Sequence, residues 1–543
     1  MPPSGWTVST PLVGLLRRVE WCKAQTEPAP PFDPPSDEYS AACRCLHPAL
    51  GKRLLTEHDG GGDALRKPVK AGLLADSTTG SSGAEWRRQR TAVDRAFGGS
   101  MGVQRRRHGA ACDAAASTVA AALERDGGQI VDARAWAASI AARAMAVAVA
   151  GDGVDASVVA SLEAAIGDAF DERLLARKGD AARQGDLNAL GDARGARRRA
   201  LGEAIDEAIC ATRRALAARG DEEVAGATLL QRIVQESELL SESEMKANIA
   251  SAIYAGFQAT ALLLLTAVLE LAARPALQER LAREATASPD AKLGCGPLVQ
   301  AVLRETLRVY PPIAGLPRVT LRALATRAPR GDDDDDDDGD DGGDDDGDDG
   351  DGDDGGGGPR LALGAKHYVV VDLIAAAHGR QHGGFDTFRW DPQGDEPPKG
   401  ACPFGLGARA CPAGSLTLVL VGRALHALAS EATFSLAARE APARPAPRAG
   451  AQGTWRSSAL RWARFVPARW PRSRAPLPHR AGHTSDEHGG REHPYWRGYL
   501  HYGPTLCCTA AVPVCFAPRT RGATADPPAP REELGLAAEV NSA

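Results

Sequence analysis

Cys411 closes the loop CPFGLGARACPAG (Cys402–Gly414), and its neighbours decide what its sulfur can do. Pro412 suits the first turn of a helix, and the apolar spacing of the following AGSLTLVLVGRALHALA continues one, so Cys411 is placed at a helix N-terminus. There the helix dipole and unused backbone N–H groups favour a thiolate, which is the form a metal takes. Gly405 and Gly407 allow the loop to press against a flat ligand and to keep N–H groups aimed at the sulfur. Arg409, two residues before the sulfur, reaches an anionic group at such a ligand's edge. The other ten of the eleven cysteines are read as small buried apolar residues.

Three further constellations carry chemistry. In LRETLRVYPP, Glu305 and Arg308 lie three apart on one helix face, close enough to pair, although a surface ion pair has the same spacing. In EWRRQRTAVDRAF, Trp86 and Arg90 are four apart, so indole N–H and guanidinium point the same way and suit a carboxylate. The competing explanation is a partly buried tryptophan beside a solvated arginine. The long apolar run SAIYAGFQATALLLLTAVLELAA holds Gln258 and Thr260. An amide and a hydroxyl both pass hydrogen bonds through ordered water, but Gln258 cannot serve as a carboxylate base.

These residues must be positioned by a large domain. Helical patterns begin near His47 and continue to about Arg439, with helices expected over 85–97, 109–125, 155–176, 196–219, 242–285 and 296–309. LPRVTLRAL and KHYVVVDLI are β-prone, so the fold is expected to be mainly α with a small β-sheet portion. Gln258, Thr260 and Glu270 make the long apolar run a poor membrane helix and a good central core helix. The expected boundaries are a poorly defined segment 1–45, a domain over 46–439 with a disordered Asp/Gly-rich insert at 331–358, and a disordered Pro/Arg-rich extension over 440–543. Neither the insert nor the late histidines with Cys507, Cys508 and Cys515 have the spacing of a calcium or zinc site.

Net charge is −6, yet residues 332–354 hold 17 aspartates, so the remainder of the chain is basic. That balance suits an acidic protein partner or peripheral contact with an anionic membrane, and equally a solvated arginine-rich surface; no nucleic-acid partner is expected. Scattered cysteines exclude a secreted disulfide framework and point to a reducing compartment. No membrane anchor is visible in the first residues, so an intracellular location is expected, whether the endoplasmic reticulum surface, a plastid or the cytosol.

The order F-G-x-G-x-R-x-C-P-A from Phe404 to Ala413 resembles the haem-ligand signature of the cytochrome P450 family. The resemblance covers roughly residues 46–439 and implies that family's fold, with haem held between the long central helix and the cysteine loop. Cys411 is then the axial thiolate on the haem iron, which pushes electron density toward bound oxygen. Phe404 and Gly407 become cradle residues, while Trp86, Arg90, Arg318 and Arg409 become partners of the haem propionates. LRETLRVYPP is similar to the family's ExxR helix, and F-D-x-x-R-W at 385–390 is similar to the segment supplying a third member, Arg389, to Glu305 and Arg308. The family's proline and acidic residue before that arginine are Thr387 and Phe388 here. On the central helix the family's acid is Gln258, its first threonine is Ala259, and only Thr260 matches.

What the resemblance implies is a monooxygenase inserting one oxygen atom of dioxygen into an apolar small molecule. Electrons would come from a separate donor, a reductase or a ferredoxin. Gln258 and Ala259 leave open an oxygen-independent isomerase, lyase or peroxygenase on the same fold, and the unusual ends and insert leave open a non-catalytic haem binder.

Overall fold

The computed structural model describes residues 41–45, 48–58, 64–67, 74–169, 187–219, 228–287, 296–327, 360–373, 387–390, 401–436, 500–502, 506–508 and 513–519, with short gaps at 75, 99, 152–153, 237 and 314. In chain order these residues form β1 (Ala41–Cys45), α1 (Pro48–Glu57), β2 (Leu65–Arg66), α2 (Gly83–Phe97), α3 (Met101–Arg107), α4 (Gly109–Asp126), β3 (Ile130–Asp132), α5 (Ala133–Ala150), α6 (Ala156–Ala169), α7 (Leu187–Arg219) and α8 (Leu229–Gln235). There follow α9 (Glu242–Ala272), α10 (Pro275–Ala287), α11 (Pro297–Val309), β4 (Gly315–Thr320), β5 (Leu324–Arg327), β6 (Arg360–Leu363), β7 (His367–Asp372), α12 (Gly414–Glu431), β8 (Ala432–Leu436), β9 (Leu500–Tyr502), β10 (Leu506–Cys508) and β11 (Pro513–Pro518). The fold is mainly helical with small sheets, as the patterning predicts.

The central element is α9. Ser241 and Glu244 form a capping box that fixes its start: Glu244 N–H donates to Ser241 Oγ at 3.3 Å, and Ser241 N–H donates to Glu244 Oε2 at 2.8 Å. The expected single helix over 242–285 breaks after Ala272, and Pro275, which lacks an N–H, opens α10. α9 crosses α5 closely because Gly256 has no side chain there; a Cβ on it would lie 2.6 Å from Met145 Cε. α5 itself escapes an amphipathic reading because its alanine- and valine-rich sequence is buried almost all round. Among the described residues α5 and α9 are long and apolar enough to cross a bilayer, yet 72 % and 61 % of their apolar windows are buried inside the fold.

A four-stranded sheet has the order β1-β7-β4-β2, with β1 parallel to β7 and the other pairs antiparallel. Its inner face and α1 share a small core of Cys45, Leu50, Leu54, Leu55, Val369 and Val371. The sequence expectation that residues 1–45 lack a defined element is therefore corrected at β1. Too short to show an alternation, this strand is recognisable only through its pairing with β7. The other correction concerns the end of the chain. β11 lies between β3 and β8 and buries Val514 and Phe516 in the main core, Phe516 packing on Trp136 at 4.9 Å between ring centres. Residues 513–519 are thus an integral part of the fold rather than a disordered extension; residues 437–499 lie outside the described ones. The acidic insert also lies outside them; it leaves and returns at one hairpin end, where Arg327 pairs with Arg360.

His108, at the junction of α3 and α4, is 3 % exposed. Burial, with Arg107 and Arg232 nearby, lowers its pKa from 6.5 to about 4, so it is neutral when folded. As pH falls below 6.5 the unfolded chain takes up this proton first, and stability declines until the folded ring also titrates near pH 4. The full loss is about 3 kcal/mol. Urea titrations across this window should show a flatter pH dependence for His108→Gln; parallel curves for the two proteins would exclude His108 as the cause.

Candidate functional site

Cys411 is held by a tight local fold. Gly405 N–H donates to Cys402 O at 2.8 Å, Ala410 N–H to Gly407 O at 3.0 Å, and Cys411 N–H to Phe404 O at 2.7 Å. Gly405 and Gly407 have φ of +73° and +69°, where a side chain is strained. Gly407 has a second reason to be glycine: a Cβ on it would lie 2.2 Å from Leu55 O of α1. Its lack of a side chain therefore serves the docking of α1, not only the approach of a ligand. Phe404 is half-buried, and its ring lies 3.2 Å from where a Cβ on Gly414 would sit.

Cys411 stands just before α12, exposed as a residue although protein surrounds it. Burial pushes its thiol up; the Ala413 N–H that bonds the sulfur, and the charges of Arg90 and Lys67, oppose that rise. An accessible sulfur at a helix start, with an N–H donor and two cations near it, is the environment of a metal-binding thiolate. Lys67 is a member of this group that sequence spacing did not reveal, because it follows β2, far from the loop in the chain.

The cations come from separate elements. Arg409 is buried, its guanidinium lies 4.2 Å from the centre of the Trp86 ring, and its Nη1 and Nη2 donate to Ser81 O at 3.4 Å. Trp86 is buried under it. Arg90 does not share a partner with Trp86: its Nε donates to Asp94 at 2.7 Å and its Nη2 to Ala410 O at 2.9 Å, the carbonyl next to Cys411. The two residues thus serve the cysteine loop from one helix, by different contacts. Arg318 is buried on β4 and donates to Pro317 O at 2.8 Å. Leu316, two residues earlier on the same strand face, approaches Gly405, which brings β4 against the cysteine loop. Three arginines, an aromatic ring and an accessible sulfur fit a flat dianionic cofactor with a thiolate-seeking metal, and haem has that chemistry.

The central helix opens at its middle. Tyr254 is 45 % exposed, Ala255 is exposed, and Gly256, Gln258, Ala259 and Ala261 are half-buried, although α9 is buried on either side of this stretch. Thr260 is buried. Residues two apart on a helix point to different sides, so Gln258 and Thr260 do not form a pair on one face.

Glu305 and Arg308 pair as the spacing predicts, in the core and not on the surface. Arg308 Nε and Nη2 donate to Glu305 Oε2 and Oε1 at 2.9 and 2.7 Å, with both side chains fully buried. The third partner found here is Trp390, whose indole N–H donates to Glu305 Oε2 at 2.9 Å. Arg389 lies beside it on the short 3₁₀ turn Thr387–Trp390, and its side chain lies outside the described ones. Tyr310, after α11, bonds Glu270 of α9, which also pairs with Arg274. These contacts tie α11 to the central helix.

Among the described residues no cluster of histidine, cysteine and carboxylate groups offers another metal centre. No curated protein sequence matches the chain. The family model for cytochrome P450 matches residues 66–327, from β2 to the end of β5, a stretch that includes Trp86, Arg90, the whole of α9, the Glu305–Arg308 pair and Arg318. That family normally binds haem through a cysteine thiolate, generally uses a redox partner, and takes hydrophobic substrates. Residues 66–327, just under half of the chain, are thus similar to the cytochrome P450 family.

Proposed function

We propose that the protein is a haem-thiolate monooxygenase in which Cys411 Sγ would hold the haem iron and one atom of dioxygen enters an apolar substrate. Two electrons come from a separate reductase or ferredoxin, and the second oxygen atom leaves as water. Bound haem would supply oxygen activation, driven by electron donation from the thiolate. The observation that carries this reading is the accessible Cys411 sulfur at the start of α12, bonded by the Ala413 N–H.

The chain's residues divide the remaining work. Arg90, Arg318 and Arg409 offset the propionate charges, with Trp86 stacked beneath Arg409. Phe404 supports the first turn of α12, and Glu305 with Arg308 braces the core beside it. On the open stretch of α9, half-buried Gln258 holds and passes hydrogen bonds to water, whereas buried Thr260 faces a different side of the helix and does not extend that chain. Apolar substrate fits against Ala255 and Ala259.

One observation favours the second reading, an oxygen-independent isomerase, a lyase or a peroxygenase. Ala259 is the accessible member of its pair, whereas the hydroxyl belongs to buried Thr260, so the open stretch 254–261 carries no carboxylate. Turnover should be compared with an electron donor plus dioxygen and with an organic hydroperoxide alone. The monooxygenase requires the first condition, and Gln258→Asp should raise the fraction of electrons ending in product. Activity only with the hydroperoxide, and none with the electron donor plus dioxygen, replaces the monooxygenase by the second reading.

A further inference from the structure

Asn248 of α9 is 3 % exposed, and every hydrogen-bonding position of its amide is filled. Its Oδ1 accepts from Thr78 N–H and Thr78 Oγ1, both at 3.0 Å. Its Nδ2 donates to Gln89 Oε1 at 3.0 Å and to Glu244 O at 2.8 Å. One side chain thereby joins the central helix, α2 and the loop that precedes α2. One turn further along α9, the Thr79 and Ser251 hydroxyls are 2.6 Å apart. Gln89 continues the network to Glu244 at 3.0 Å, where Arg88 also pairs.

The loop needs this attachment. Its sequence from Asp76 to Gly83, DSTTGSSG, contains no large apolar side chain, so burial of apolar surface cannot hold it. Directional polar bonds set its position instead. The same loop presents Ser81 O to the Arg409 guanidinium, and it leads directly into the helix that carries Trp86 and Arg90. Gln89 lies next to Arg90 on that helix.

We propose that Asn248 is a positioning residue of the haem site, fixing loop 77–82 and α2 so that Arg409 meets Trp86 beside the cysteine loop. It acts through those residues and touches no bound group. The role rests on the haem-thiolate reading above, and it deepens that reading by assigning a control point on the central helix away from Cys411.

The test uses the full-length, haem-loaded protein. Asn248→Leu keeps the approximate side-chain size but leaves Thr78 and Gln89 without their partner. Amide hydrogen exchange over 77–82 should accelerate, and haem transfer to an excess of a scavenging apoprotein should quicken about tenfold. The thiolate-type Soret band of the reduced carbon monoxide complex should persist, because Cys411 is untouched. Thr78→Val, which removes one of the four bonds, should move exchange and haem release in the same direction by less; it serves as the variant should Asn248→Leu fail to fold. Unchanged exchange over 77–82, or faster exchange with native haem release, overturns the positioning role alone. Absence of the thiolate band from the native protein overturns the haem reading and this role with it.

Discussion

Cys411→Ala abolishes the long-wavelength Soret band of the reduced carbon monoxide complex and removes turnover, while the haem-free chain keeps its unfolding midpoint. Both halves of this outcome come from one geometric fact: Cys411 is exposed as a residue just before α12 and is not part of the apolar core. Removing it deletes the proposed ligand without removing a core side chain, so stability should change by less than about 0.5 kcal/mol. The backbone bond from Cys411 N–H to Phe404 O remains, and the loop keeps its shape. Cys402, half-buried in the same loop with its thiol pushed up by burial, is the control. Cys402→Ala should retain the band. Persistence of the band in Cys411→Ala would falsify the assignment of the sulfur, whatever the activity.

The difference between what the sequence predicts and what the fold contains follows the range of the interactions. The cysteine loop is legible because its determinants are contiguous: two glycines at positive φ, the sulfur, and a proline that lies in the turn before the helix, which starts at Gly414 and not at Pro412 as expected. Glu305 and Arg308 are legible because three residues on a helix make one face. Trp390, Lys67 and Asn248 are not, because each meets the site through a contact distant in the chain. Trp86 and Arg90 show the intermediate case. Their spacing gives a common direction, but Asp94 and Ala410 O engage Arg90, while Arg409 covers Trp86. β11 is the extreme: a short strand gains its place only from β3 and β8, and no local pattern announces that pairing.

Breaking the Glu305–Arg308 pair should destabilise the protein more than any other single polar change. Both side chains are fully buried, the guanidinium bonds the carboxylate at two points, and Trp390 adds a third donor to it. Glu305→Ala leaves the arginine charge in the core without its counterion, at a cost of about 3–5 kcal/mol. Set against a total stability of about 5–15 kcal/mol for a folded domain, that loss should appear as a sharply lower urea midpoint and poor haem incorporation. Arg308→Lys should not recover the native midpoint, because an ammonium cannot reproduce the two-point bond. Trp390→Phe removes one donor and keeps the ion pair, so about 1 kcal/mol is expected. The double variant Glu305→Leu with Arg308→Leu should be less damaged than Glu305→Ala, since it removes both charges together. A midpoint for Glu305→Ala equal to that of Trp390→Phe would show that the pair contributes no more than one ordinary hydrogen bond, and that α11 is held to the fold by its apolar face and by the contact of Tyr310 with Glu270.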